Sequence, residues 1–395
     1  MSPDALHNPV VIVGAARTPM GAFQGSLAGH AAPELGAAAL SAAVQRAGLP
    51  PEHLDEVFMG CVLQAGLGQA PARQAALLAG LPWATACTTV NKVCGSGMKA
   101  VMLAHDALLA GSAKAIAAGG MENMSRAPHL VRGLRAGLPP GAQPLLDHLF
   151  FDGLQEACDP PTRGHLMGRF AEDCAMACGF DRAAQDAFAL HSTLRAQAAQ
   201  KAGHFEWECC EVPDSRLHAD EVPAQARPER IPHLPPAFTE HGTVTAANAS
   251  AIADGAAALI LTRLAFARAN GLVPLARICG HARHAQAPAL FTTAPAGAVR
   301  SLLDRLGWSV DDVDLWEINE AFAVVALAAM QTLGIPPERL NVHGGACALG
   351  HPIGATGARL IVTLLGALLQ GGGRRGVASL CIGGGEATAI AIERL

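Results

Sequence analysis

Val90-Asn91-Lys92-Val93-Cys94-Gly95-Ser96-Gly97-Met98 sets a cysteine just before a Gly-Ser-Gly turn. Downstream, Met98, Val101, Met102, Leu108 and Leu109 share one apolar helical face, which places Cys94 at a helix N-terminus. Unpaired N–H groups and the helix dipole there favour a thiolate. The small residues let the backbone turn beside a substrate. A nucleophile fits this position. Taken alone, the stretch reads first as a buried free cysteine beside an ordinary glycine turn.

The frame recurs. Val93-Cys94-Gly95-Ser96-Gly97, followed by Ala107 to Gly111, is matched by Ile353-Gly354-Ala355-Thr356-Gly357, followed by Ala367 to Gly371, 260 positions later. Gly48-Leu49-Pro50-Pro51-Glu52-His53-Leu54-Asp55 is matched by Gly307-Trp308-Ser309-Val310-Asp311-Asp312-Val313-Asp314, 259 positions later. Two matches in nearly one frame indicate a duplicated αβ unit of about half the chain. Equivalent helices in two packed halves can aim their N-termini at one cleft. That would bring Cys94 toward His351, which precedes the second copy in Gly350-His351-Pro352.

Each half carries buried-strand runs and alanine-rich helices. Val10 to Gly14 reads as a strand, with Ala15 to Pro19 a loop at its end. Pro33 to Ala47 reads as a helix closed near Gly48. Leu54 to Met59 and Lys114 to Ala118 read as strands, and the helix opened by Pro71 ends at Gly80. From about Ser125 the chain becomes richer in charge, Pro and His. Arg182 to Gln200 is an amphipathic helix there, and the five prolines from Pro223 to Pro236 suggest extended chain. The expected division is an N-terminal half over 1–123 completed by 244–274, an inserted cap over 124–243, and a C-terminal half over 275–395.

Composition narrows the class. The 395 residues are 51% hydrophobic and 15% charged, with 43 Gly and no Tyr, which suits a tightly packed α/β protein of more than one core. A net charge of −5 without a basic stripe argues against nucleic-acid binding. Eleven irregularly spaced cysteines exclude a fully paired disulfide framework and point to a reducing compartment. No metal spacing stands out, and Cys174 with Cys178, like Cys209 with Cys210, reads as structural. Met1-Ser2-Pro3-Asp4 does not open a secretory signal, no uninterrupted apolar segment suggests a membrane span, and the last residues form no peroxisomal signal. The expectation is a cytoplasmic protein.

Four stretches stand together: Asn91 to Gly97, Asn319-Glu320-Ala321-Phe322-Ala323, Gly350 to Gly357, and Cys381-Ile382-Gly383-Gly384-Gly385. They resemble the signature motifs of the thiolase family in order and spacing. Gly68 to Gln74, Met121 to Ser125 and Val244 to Ser250 fit as well, so the likeness covers nearly the whole chain. The resemblance implies a five-layer αβαβα core with an inserted loop domain. It implies an acyl-CoA C-acyltransferase, joining two acetyl-CoA into acetoacetyl-CoA or cleaving 3-ketoacyl-CoA with free CoA. No separate cofactor or metal is implied, and the assembly would be a homodimer or homotetramer.

Carbon–carbon bond formation between two thioesters needs a nucleophile, for which Cys94 is placed, and a base for its proton, for which His351 is the candidate. It needs a second base for an α-proton. Cys381 fits, since a thiol pKa can be tuned toward neutrality. It also needs oxyanion donors, and the glycine run from Gly383 brings N–H groups close. By the resemblance, the Cys94 and Gly383 amides hold the thioester oxyanion, while His351 and Asn319, through a water, hold the enolate oxygen. Taken singly, Cys381 is a strand cysteine, His351 a loop residue and Asn319 a helix N-cap. The resemblance also lines a pantetheine tunnel with Leu154, Met167, Phe238, Ala246, Ser250, Ala321 and Phe322.

Departures from the family lie away from this centre. The segment with Asp159-Pro160-Pro161 is longer than in short-chain biosynthetic thiolases. Leu166 stands for a histidine and Phe291-Thr292 for Met-Gly. Asp220-Glu221-Val222-Pro223 lacks a following arginine that often meets the adenine end. Two other readings compete. A condensing synthase on carrier-protein thioesters shares the nucleophile but typically has histidine at the Asn319 position and lacks the second cysteine. A non-catalytic lipid-binding subunit would need the four devices to be idle.

Overall fold

Strand β1 (Val10–Arg17) is buried at every position and runs past Gly14. The stretch read as a loop extends it, because Ala15, Ala16 and Arg17 pair with Leu259, Ala258 and Ala257. This is a computed structural model describing residues 7–395; Met1 to Asp4, read above for a signal, lie outside them. The first half continues with α1 (Ala32–Ala47), β2 (Glu56–Gly60), α2 (Pro71–Leu78), β3 (Ala86–Val90), α3 (Ser96–Ala110) and β4 (Ala115–Asn123). A long insertion carrying α4 (Met167–Cys178) and α5 (Arg182–Lys201) precedes β5 (Ala253–Arg263). The second half runs β6 (Ala276–Ala285), α6 (Ala294–Leu306), β7 (Leu315–Ile318), α7 (Ala323–Leu333), α8 (Ile353–Gly371), β8 (Arg375–Ile382) and β9 (Glu386–Arg394).

The strand order is β3-β2-β4-β5-β1-β6-β9-β8-β7, with Gly21–Ala22 paired to β5. Read outward from the middle, β1-β5-β4-β2 in the first half matches β6-β9-β8-β7 in the second, and the first half adds the edge strand β3. β2 and β7 lie parallel to their inner neighbours, and the other inner pairs are antiparallel. β1 and β6 join the halves through only two pairings, Val11 to Arg277 and Ile12 to Ala276. The repeated Gly48 and Gly307 close α1 and α6 with the same left-handed φ of 65°, which glycine adopts without steric cost.

The layers follow from this order. α1 and α2 cover the outer face of the first half, α6 and α7 that of the second. α3 and α8 lie side by side between the two, with Met98, Met102, Leu360 and Ile361 in a common apolar core. Close approach needs the repeated glycines. A Cβ on Gly97 would sit 2.9 Å from the Ala358 nitrogen, and one on Gly357 would overlap Met98. By length and composition α8 could cross a membrane, a run the sequence reading passed over, but 89% of its window is buried inside the fold.

The insertion leaves from the first half and leans on the second. Ser192 on α5 donates to Glu320 at 2.7 Å, and Asn341 donates to the same carboxylate at 2.8 Å. The proline-rich stretch departs from the extended form expected. It folds as two short helical turns, Glu221–Gln225 and Pro228–His233, because proline's fixed φ suits the first turn of a helix. Asp220 anchors this stretch, buried against Arg17 at 2.6 and 2.8 Å.

Candidate active site

Backbone strain holds the nucleophile. Val93, a β-branched residue, takes a left-handed φ of 46°, a conformation costing on the order of 1–3 kcal/mol. Side chains over-determine it. Asn91 Oδ1 accepts the Val93 N–H at 3.0 Å, and Ser96 Oγ accepts the Lys92 N–H at 2.8 Å and donates to Val93 O at 2.6 Å. Cys94 thus stands just ahead of α3, packed beside Leu154 and Ile353. The N–H groups of Gly383 and of Cys94 itself are directed at its sulfur.

The electrostatics reverse one expectation. Burial pushes the Cys94 thiol up to about 11, against the Gly383 and Cys94 N–H groups, which pull it down. Desolvation outweighs the helix terminus, so the resting nucleophile is a neutral thiol. Cys381, at the end of β8, is also raised well above its ordinary value, first by burial and next by Cys94. Tuning toward neutrality is therefore not a property of the resting site. His351 is held down to about 3 by burial and then by the charge of Arg359. With the thiol raised and the imidazole lowered, both by burial, the resting pair is neutral and proton transfer between them is unfavourable until a substrate is engaged.

The ring of His351 is oriented from behind. Its Nδ1 lies 2.6 Å from Thr356 Oγ1, whose own proton goes to Pro352 O at 2.9 Å. Thr356 can then only accept, which places the imidazole proton on Nδ1 and leaves Nε2 a free base. Asn319 Nδ2 is 3.5 Å from that Nε2, while Asn319 Oδ1 is buried without a partner among the described residues. Asn319 is not a helix N-cap; Phe322 holds that place on α7. No hydrogen bond joins His351 to Cys94 among the described residues.

Two carboxylates do positioning work that sequence reasoning passed over. Glu122 accepts the N–H groups of Val62 at 3.0 Å, Leu63 at 3.1 Å and Gly354 at 2.8 Å, tying the start of α8 to β4. Burial pushes its carboxyl up to about 7. Glu320 accepts from Ser192, Asn341 and the Cys347 N–H, fixing the loop that carries Asn319. Thr356 was the other omission. The motif stretches contained all three residues; tertiary contacts reveal what the two carboxylates hold, and the local turn before α8 what Thr356 holds.

A cavity of about 960 Å³ opens beside this centre. All seven residues expected along the tunnel line it: Leu154, Met167, Phe238, Ala246, Ser250, Ala321 and Phe322, together with His351. The 245–251 loop is stitched to the second half, since the Ser250 N–H donates to Ala321 O at 3.0 Å and the His351 N–H to Ala251 O at 2.9 Å. Leu166 also lines the cavity. Phe291 does not; it is buried edge-on against Phe170, with ring centres 6.3 Å apart. Arg227 and Arg230 line the cavity too, so cations stand a few residues beyond the stretch that lacks one. At Gly383 a side chain would lie 3.5 Å from Met167 Sδ, and at Gly385 it would meet the carbonyls of Gln286 and Ala287.

Comparison with known proteins decides the family. Residues 10–265 match the thiolase N-terminal domain and residues 272–394 the thiolase C-terminal domain. The chain belongs to the thiolase family. It is 48% identical over 393 residues to an acetyl-CoA acetyltransferase of Cupriavidus necator, covering 98% of this chain and 99% of that one. It is 46% identical to an acetyl-CoA acetyltransferase of Schizosaccharomyces pombe, covering 99% and 100%. The Acat5 thiolase of Ascaris suum, solved in complex with coenzyme A, superposes with a TM-score of 0.93 at 41% identity, over 98% of this chain and 100% of that one. The five layers described above are thus the thiolase fold.

Proposed function

We propose that this thiolase is an acyl-CoA C-acyltransferase, condensing two acetyl-CoA to acetoacetyl-CoA and running in reverse as thiolysis of 3-ketoacyl-CoA. The observation that carries this reading is the Cys94 sulfur under the Gly383 and Cys94 N–H groups. In the first half-reaction, His351 Nε2 takes the Cys94 proton as sulfur attacks the thioester carbonyl. The two N–H groups receive the oxyanion, and the protonated imidazole returns the proton to the departing CoA sulfur. Because the resting pair is neutral, proton transfer and S–C bond formation belong to one event.

In the second half-reaction, His351 Nε2 takes the Cys381 proton, and the resulting thiolate removes an α-proton from the second acetyl-CoA. The enolate oxygen accepts from the protonated Nε2 of His351 and from a water held on the buried Oδ1 of Asn319; the enolate carbon attacks the acyl carbonyl, and the Cys94 sulfur leaves and takes the His351 proton. These four devices require no cofactor beyond the CoA thioesters. The apolar cavity suits the pantetheine arm, and Arg227 and Arg230 suit the phosphates of its nucleotide end. Asn319 and Cys381 speak against the carrier-protein condensing reading, and the assembled site against an idle subunit.

The exposed edge of β3 and Trp83, which is 87% exposed, suit contact between copies, as a homodimer or a homotetramer. All eleven cysteines are free, which suits a reducing compartment such as the cytoplasm.

Intact-mass spectrometry after mixing with acetyl-CoA tests the proposal. One acetyl group should appear on Cys94 and be absent from folded Cys94→Ser. Absence from the parent enzyme, or an adduct that persists in Cys94→Ser, would overturn it.

A further inference from the structure

On the other end of α3 lies a cluster that the acyl-transfer chemistry does not use. His105 and Asp106 sit on α3 and His281 on β6, so the cluster bridges the two halves. Asp106 Oδ1 is 3.1 Å from His105 Nδ1 and 2.8 Å from His281 Nε2, and one donor atom from each residue lies within 4.8 Å of the others. The imidazoles meet edge to face, with centres 5.0 Å apart. They line a pocket of about 160 Å³, separate from the substrate cavity. His105 is nine residues into α3, roughly 14 Å from its catalytic end.

The fold does not demand polar groups here. In the duplicated frame, His105 and Asp106 correspond to Leu365 and Gly366, and Leu365 is buried in the apolar middle layer. The part of the cluster on α3 therefore has no counterpart in the second copy.

We propose that His105, Asp106 and His281 form a binding site for a divalent transition-metal cation of the Zn²⁺ type. Two imidazoles and one carboxylate are the donor set of three-ligand zinc sites, whose bond lengths of about 2.0–2.2 Å put neighbouring donors a little over 3 Å apart. Two of the three separations, 3.1 and 2.8 Å, already lie close to that spacing. Both imidazoles point a nitrogen at the same carboxylate oxygen. Binding needs only that each neutral ring carry its proton on the opposite nitrogen, with no net proton release. The fourth position opens into the pocket, where Arg305, held by the His281 carbonyl at 2.9 Å, can balance an anionic ligand. Cys279 borders the same pocket, but its thiol is directed to Glu393 at 3.8 Å. Such a cation would clamp α3 to β6, and so one half of the molecule to the other.

The test uses chelator-treated enzyme with Cys94 blocked by iodoacetamide, so that the catalytic thiol does not compete. Zn²⁺ is titrated against a chromophoric chelator and melting temperature is followed. One equivalent per chain should bind and raise the melting temperature. Asp106→Asn and His281→Leu should each weaken binding by about tenfold or more, while the unblocked, metal-free variants keep the parent thiolysis rate. Co²⁺ in place of Zn²⁺ should show no thiolate-to-metal charge transfer. Unchanged Zn²⁺ affinity in both variants, or a Co²⁺ spectrum dominated by thiolate, would overturn the proposal.

Discussion

The N-terminal ends of α3 and α8 are copies in position and opposites in chemistry. Ser96 and Thr356 are equivalent in the repeat, and each hydroxyl both accepts and donates. Ser96 takes the Lys92 N–H and gives its proton to Val93 O; Thr356 takes His351 Nδ1 and gives its proton to Pro352 O. In the first copy the hydroxyl braces a strained backbone under a nucleophile. In the second it selects the tautomer of a base. Cys94 itself corresponds to Gly354, whose N–H is taken by Glu122 at 2.8 Å. One scaffold thus supplies a nucleophile and a base through a few side-chain exchanges at matched helix starts.

The largest break in this comparison comes from the second thiol, which belongs to neither copy's helix start. Cys381→Ala should still accept a labelled acetyl group on Cys94. It should lose condensation by at least about a thousandfold and stop exchanging the α-protons of acetyl-CoA into heavy water. Folded Cys381→Ala that cannot be acetylated would end this division of labour, and normal condensation would make Cys381 a packing residue.

Next in size is the titration of the nucleophile. A thiol at about 11 is protonated at neutral pH. The rate of Cys94 alkylation by iodoacetamide should therefore rise about tenfold per pH unit from 7 to roughly 10 and level off only near 11. A plateau near pH 7 would mean a preformed thiolate and would contradict the burial argument.

The two hydroxyls should then part company. Thr356→Val frees the His351 ring and should lower kcat by roughly 10- to 100-fold, with KM for acetyl-CoA little changed. Thr356→Ser should restore most of it. Ser96→Ala should instead cost about 1–2 kcal/mol of stability, read from denaturant midpoints, with a smaller effect on kcat. Equal kinetic effects at both sites would erase the distinction.

Much of this was legible in the residues. The repeated frame marks the two crossing helices, because glycines that permit close approach recur at fixed spacing in any half that packs on its own copy. Cys94 and His351 stand out for the same reason, sitting just before those glycines. Thr356 and Glu122 did not stand out. A threonine in the first turn of a helix, bonded to Pro352 and His351 just before it, is ordinary locally, and the Gly354 partner of Glu122 is brought in by folding. The ionisation of Cys94 was misread because a helix terminus is visible in sequence while its desolvation is not. The stretch from Pro223 to Pro236 was misread because proline count alone does not separate extended chain from first helical turns.

The glycine crossing carries a consequence for symmetry. Gly97 rests on Ala358 and Gly357 on Met98, and Ala358 and Met98 are themselves equivalent in the repeat. Each patch meets its own image, which is the signature of an isologous contact between identical subunits. The middle of this single chain thus has the form of a two-fold dimer interface held within one chain. A centre built between two copied helix starts can carry cysteine on one side and histidine on the other because the two copies differ in sequence.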